Sequence, residues 1–283
     1  MNDPSHPELI LDVKNQASML PKQFRTHAGC SPIEEQAITS RLIIGSAQFS
    51  ELELVEAIKG LANPVHLIDL RQESHGFIEG HAISWYQLYN WANRDLTAKQ
   101  AEQDENQRLA MLAGQARISI GRLLKIKGQL PQIESRAMIC TEQQVISEEA
   151  LAKKYNLNYT RLRVTDHCSP DALQVDKFIE LVRGLSKNVV LYFHCRGGKG
   201  RTTTFMSLYD IMHYAKQMSL PAIIARQRAL GGSDLAKIPE TASYKHELVK
   251  QRWAFLQQFY NYCLANEDNF ATAWSSWQQN SLI

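Results

Sequence analysis

Two kinds of apolar pattern alternate along the chain. Val189–His194 is apolar and β-branched at its start, as in a strand buried on both faces. Val65–Leu70, the short apolar run Ala137–Cys140 and the alternating Tyr159–Val164 also read as strands. Between them the apolar positions take a helical spacing. Ser50-Glu51-Leu52-Glu53 has capping-box spacing, and the stripe Leu54, Val55, Ile58, Leu61 behind it is ended by Asn63-Pro64. Thr97 with Gln100 caps a helix running to about Ala113, polar on most faces and so expected on the surface. Thr141 with Gln144 opens another, reaching about Tyr155. Ser169-Pro170 supplies an N-cap and a first-turn proline before a helix that carries Leu173, Phe178, Ile179 and Val182 and stops at Gly184. Further helices are expected from about Arg201 to Lys216, before Gly231-Gly232, and from about Thr241 to Leu264. Strands alternating with helices predict an α/β domain with a mostly parallel sheet covered on both faces.

A length of 283 residues suits one such domain, or one with a small subdomain, and the first 20 or so residues read as loosely ordered. With 44% hydrophobic and 21% charged residues the core can be large, so no disulfide or metal staple is needed. A net charge of +2 gives no global case for nucleic acid or a membrane surface, so an anionic substrate must be held by local cations. The five cysteines (Cys30, Cys140, Cys168, Cys195, Cys263) are odd in number and contain no C-x-x-C, which argues against a disulfide framework or a structural zinc site. No run approaches the ~18 apolar residues of a membrane span. Met1–Leu20 is mixed polar and acidic, with no secretory signal visible, which leaves a cytoplasmic location or export by a route that needs none.

The most informative segment is His194-Cys195-Arg196-Gly197-Gly198-Lys199-Gly200-Arg201-Thr202, between a buried strand and a helix. Its three glycines let the backbone curl into a nest of N–H groups at a helix N-terminus, sized for a phosphate. The same field favours the thiolate of Cys195, a nucleophile. Arg201 can fork two N–H groups onto phosphate oxygens, and Thr202 can donate its hydroxyl to the sulfur. Arg196 and Lys199 add charge at the rim. A nucleotide P-loop would need Ser or Thr directly after its lysine, whereas Gly200 follows Lys199.

The loop resembles the H-C-x5-R-[ST] signature of the protein tyrosine phosphatase superfamily. More narrowly, Arg201-Thr202-Thr203-Thr204, Asp69-Leu70-Arg71-Gln72-Glu73-Ser74-His75-Gly76-Phe77, Asn90-Trp91-Ala92-Asn93, Leu20-Pro21-Lys22-Gln23-Phe24-Arg25-Thr26, Thr165-Asp166-His167 and Ser243-Tyr244-Lys245 are similar to stretches of the tyrosine-phosphatase-like inositol phosphatases, the bacterial cysteine phytases. That resemblance implies a phosphatase core over residues 21–283 with a partial β-barrel subdomain, roughly 26–62 and 114–136. It implies Asp166 as general acid in a substrate-binding loop that includes His167, and Arg25, Lys245 and Arg252 as grips on the non-reacting phosphates. Lys245 and Arg252 are seven residues apart on an expected helix, hence on one face. Two departures stand out: Ser169 where relatives commonly have tryptophan, and Asn90, a substrate-site residue here, where they often carry an acid. His75 reads equally well as site-lining or structural.

The expected activity is hydrolysis of phosphomonoesters of myo-inositol hexakisphosphate and lower inositol polyphosphates through a phosphocysteine, with no cofactor or metal. The alternative is a protein tyrosine, dual-specificity or phosphoinositide phosphatase. The expected partner is a small-molecule substrate.

Overall fold

The computed structural model describes residues 6–16, 19–28, 41–115, 117–124, 130–139 and 144–280. Cys30, Cys140 and the Thr141 cap lie outside them.

Two sheets organise the chain. The first has five strands in the order β10 (Asn158–Val164), β4 (Val65–Arg71), β11 (Val190–His194), β3 (Leu42–Ser46) and β2 (Arg25–Ala28). The first four are parallel to one another and β2 runs antiparallel at the edge. The second has six strands in the order β8 (Gln132–Ile139), β7 (Arg117–Leu124), β1 (Glu8–Val13), β6 (His81–Tyr86), β5 (His75–Ile78) and β9 (Val145–Ile146). It is antiparallel except where β1 meets β7. The helices are α1 (Glu51–Ile58), α2 (Ala98–Leu112), α3 (Glu148–Lys154), α4 (Ala172–Gly184), α5 (Gly200–Tyr214), α6 (Leu220–Ala229), α7 (His246–Leu264) and α8 (Trp274–Asn280).

Burial on both faces explains the unbroken apolar run of β11. Leu191, Phe193 and Cys195 join a core with Phe178 of α4, Phe205 of α5 and Phe259 of α7. Val190 and Tyr192 point the other way, into a core with Phe49, Leu54 of α1, Phe77 of β5 and Leu151 of α3. The period of two therefore carries Cys195 to the α5 side.

Several boundaries move. Residues 8–13, inside the stretch expected to be loosely ordered, form β1 and pair with β6 across the chain, with Ile10 fully buried. The capping boxes at Ser50 and Thr97 form as read. The helix at 148 is capped by Ser147, whose side chain accepts from Ala150 N at 3.2 Å. The helix at 172 is capped by Asp171, accepting from Gln174 N at 2.9 Å, so Ser169-Pro170 precede the cap. The last long helix begins at His246, and Lys245 is its N-cap. Of the stretches expected to form a partial barrel, β2 and β3 lie in the five-stranded sheet and β7 and β8 in the six-stranded one.

Candidate active site

Three parallel strands deliver the site. β11 ends at His194 and leads into Cys195, β10 ends at Val164 and leads through Thr165 to Asp166, and β4 ends at Arg71 two residues before Glu73. The carboxyl ends of adjacent parallel strands are where an α/β sheet opens its crevice.

The loop from Cys195 to Lys199 is built against the end of β3. Gly198 has φ +63°, and a Cβ there would collide with the backbone of Ala47. Its carbonyl accepts from Arg25 Nη1 at 2.9 Å, and the Arg196 carbonyl accepts from Gln48 N at 3.3 Å. Gly197 and Lys199 are exposed at the rim, and Gly200 starts α5. Cys195 is buried, and Thr202 Oγ1 donates to its Sγ at 3.1 Å.

Arg201, the second residue of α5, is buried among acceptors. Its Nη1 donates to Glu73 Oε2 at 2.7 Å and to the Val164 carbonyl at 3.0 Å, and Nη2 donates to Glu73 Oε1 at 3.0 Å. Nη2 also lies 3.4 Å from Asp166 Oδ2. Burial alone would lift Asp166, but the Arg201 charge, His167 and the Asn90 hydrogen bond together outweigh it and hold the carboxyl below the ordinary carboxylate range. Glu73 is likewise held below its ordinary range by Arg201 and Arg71 against burial. Arg201 Nε is buried with no partner among the described residues, a donor left over for an anion.

The acid segment is fastened from outside. Trp91 Nε1 donates to the Asp166 carbonyl at 2.9 Å, and Tyr244 OH meets His167 Nε2 at 3.1 Å. Tyr244 stacks on Tyr89 at 3.9 Å and meets Trp91 edge-on. Burial, with Lys245, Arg201 and Arg252 nearby, pushes His167 down to about 4, so it is neutral near pH 7.

The sequence-derived cations separate into three kinds. Arg252 is buried against the start of α5: a Cβ on Gly200 would meet its Nη1 at 3.2 Å, and its Nε has no partner among the described residues. Lys245 is half-buried, 5.4 Å from the Tyr244 ring, and its charge reaches His167. These two lie beside the start of α5 and the His167 segment. Arg196 is committed elsewhere: Nε donates to Asp12 Oδ1 at 2.8 Å and the guanidinium lies over Tyr86. Arg25 requires correction. It is buried and donates to Gly198 O, Gln23 O and Thr203 Oγ1, so its Nη groups are spent on bracing the loop from beneath and do not reach outward. The charge of Cys195 acts on it, against the pull of burial. His75 is structural: its Nε2 lies 3.3 Å from both Asp69 Oδ2 and Glu148 Oε2.

Glu73, Asp12, Gln48 and Glu148 carry roles that no sequence pattern signalled. Glu73 stood inside a recognisable motif, yet its grip on Arg201 depends on the meeting of strand ends. Asp69, His75 and Glu148 are the one trio among the described residues with metal-ligand spacing. Burial would strip His75 of its proton, but Asp69 lifts it to about 9. The imidazolium thus already supplies the positive charge between the two carboxylates.

A cysteine and an arginine on a nest between β11 and α5, with an aspartate from the end of β10 beside the arginine, make up the candidate site. The family model for protein-tyrosine-phosphatase-like phytases, described as inositol hexakisphosphate, matches residues 68–213. A PTP-like phytase from Bdellovibrio bacteriovorus superposes with a TM-score of 0.76 at 34% identity, covering 98% of this chain and 97% of that one. The tandemly repeated phytase of Mitsuokella multacida superposes with a TM-score of 0.83 at 31% identity, covering 99% of this chain and 50% of that one. The PTP-like myo-inositol phosphatase of the same organism, solved with myo-inositol-(1,3,4,5)-tetrakisphosphate, is 30% identical. The effector protein hopD2 of Pseudomonas syringae pv. tomato is 25% identical over 98% of this chain, which spans 58% of that protein. The chain belongs to the protein-tyrosine-phosphatase-like phytase family, a family of phosphatases. Among the described residues no helix is long and apolar enough to cross a membrane.

Proposed function

We propose that the protein hydrolyses phosphomonoesters of inositol polyphosphates, phytate among them, through a phosphocysteine on Cys195. The observation that carries the reading is the Thr202 Oγ1 to Cys195 Sγ contact of 3.1 Å, one residue from Arg201 at the start of α5. The thiolate attacks phosphorus, the ester P–O bond breaks, and Asp166 gives its proton to the leaving alkoxide. Water then attacks phosphorus, Asp166 takes its proton, the S–P bond breaks and the thiolate is restored with release of phosphate. Arg201 and the loop N–H groups hold the equatorial oxygens throughout.

Arg252 and Lys245 support a substrate with charge beyond the reacting phosphate. They stand beside Gly200 and His167, where a polyphosphorylated ring would extend. The stacked Tyr89–Tyr244 pair favours a second reading, an aromatic phosphate ester, because it offers a ring face beside the acid. Rates on inositol hexakisphosphate and on a phosphotyrosine peptide separate them: the first reading requires the higher kcat/KM on the inositol phosphate, and the reverse order overturns it. The Pseudomonas relative is named an effector protein, and export of this chain belongs to the same proposal.

A further inference from the structure

Asn90 is a substrate contact by resemblance, but its geometry assigns it elsewhere. The side chain is buried, and its single Nδ2 reaches two carboxylates: Glu73 Oε1 at 2.7 Å and Asp166 Oδ2 at 3.1 Å. Those same two oxygens lie 3.0 and 3.4 Å from Arg201 Nη2. One amide and one guanidinium nitrogen thus span the same pair of acids. Asn90 itself has φ +67° and its neighbour Tyr89 has φ +61°, both left-handed. Asparagine tolerates that region better than most residues. The next residue, Trp91, holds the Asp166 carbonyl. Strain, amide and indole therefore converge on one carboxyl group.

We propose that Asn90 is a positioning residue for the general acid, fixing the Asp166 carboxyl by bridging it to Glu73, and that it is not a grip on the substrate. The inference rests on Asp166 being the acid of the reaction proposed above. With one proton for each carboxylate, a neutral amide keeps two converging acids together without adding charge. An aspartate at 90 would place a third carboxylate on the same arginine. The other groups facing Asp166 are His167 beside it, Arg201 from α5, Arg252 from α7, the phenols of Tyr86 and Tyr244, and the Cys168 thiol. Asn90→Gly leaves them all in place and adds no charge, so a changed acid reports the bridge.

The test uses the full chain with Asn90→Gly, which removes the amide without backbone strain, Asn90→Asp, Asp166→Asn, and Asn90→Gly/Asp166→Asn. Each is assayed on p-nitrophenyl phosphate, phenyl phosphate and glycerol 2-phosphate, whose leaving groups need progressively more protonation. Asn90→Gly is expected to lose roughly tenfold or more in kcat/KM, which reports only the step that expels the leaving group, on the poor leaving groups and under about twofold on p-nitrophenyl phosphate. The double variant should be no slower than Asp166→Asn, because both changes remove one function. Asn90→Asp should move the basic limb of kcat/KM to higher pH: added like charge and the lost N–H disfavour the ionised acid, so the protonated form survives further up. Equal losses in kcat/KM on all three esters, or additive losses in the double variant, would overturn the positioning role. If Asp166→Asn itself shows no leaving-group dependence, the acid assignment falls, and this inference with it. Normal leaving-group behaviour without turnover of inositol hexakisphosphate removes only the substrate assignment.

Discussion

Asp166 Oδ2 lies 3.4 Å from the Arg201 guanidinium that Glu73 grips through both of its oxygens. In the free protein the aspartate therefore occupies part of the arginine's field that a phosphate would otherwise take. Its carboxyl is held low by that arginine against the pull of burial, so it is ionised at neutral pH. Acid catalysis needs the opposite state. An anion arriving on Arg201 takes over the charge and lifts Asp166, so binding should draw in a proton. Sulfate, which does not titrate near neutrality, is the clean probe. Calorimetry of sulfate binding in buffers of different ionisation enthalpy should show proton uptake, absent in Asp166→Asn. Binding without uptake, or uptake that survives the substitution, contradicts this coupling.

The buried cluster under the loop sets the pH range of stability. His75 is raised to about 9 by Asp69, against the pull of burial. Its contribution is complete below the unfolded value of ~6.5 and is lost as pH rises through the folded one, up to about 3 kcal/mol. Glu148 is lowered to about 2, chiefly by His194 working against burial. Its contribution is complete above its unfolded value of ~4.3 and is lost as pH falls toward the folded one. Tm should therefore be flat between roughly pH 5 and 6.5 and decline on both sides. His75→Gln should lower Tm at neutral pH and flatten the alkaline decline, a comparison that thermal melts from pH 4 to 10 make directly.

Lys245 and Arg25 should part company under mutation. Lys245→Met removes an outward charge, so KM for inositol hexakisphosphate should rise about tenfold, ~1.4 kcal/mol, with little change on p-nitrophenyl phosphate. Added salt should shrink the difference. Arg25→Met removes the brace under Gly198 and should slow both substrates alike while lowering Tm. Steady-state kinetics on the two substrates, with melts, separate the patterns.

Thr202→Val keeps the shape of the side chain and removes the 3.1 Å hydrogen bond to Cys195 Sγ. The sulfur then leaves phosphorus as a thiolate without that donor. Dephosphorylation should slow by roughly ten- to hundredfold, enough for a phosphoenzyme burst to appear on p-nitrophenyl phosphate. Stopped-flow release of nitrophenol reads the burst amplitude.

The parts of this site that were legible in the sequence are local ones. The loop, its strand and its helix lie within a single continuous run of residues, and the alternation in β11 already fixes which face Cys195 takes. The capping boxes at Ser50 and Thr97 are likewise read within four residues. What escaped depends on contacts between distant segments. β1 is a strand because β6 supplies its partners, Glu8 pairing with Tyr86 and Val13 with Ala82. Arg25 looks like a surface cation until β2 docks against β3 and carries it beneath Gly198. Glu73 gains its role only when the ends of β4, β10 and α5 meet around Arg201. The cap at Asp171 was a choice between adjacent polar residues, which only the hydrogen bond to Gln174 N decides.

The central claim is that Cys195 carries the phosphoryl group taken from an inositol polyphosphate. Phosphate release from inositol hexakisphosphate in the presence of a chelator, by the wild-type protein and by Cys195→Ser, tests it most directly. Steady release by the wild type, and none by a Cys195→Ser protein that keeps its fold and still binds phosphate, is the predicted result. Release that survives the substitution, or depends strictly on a divalent ion, would contradict it.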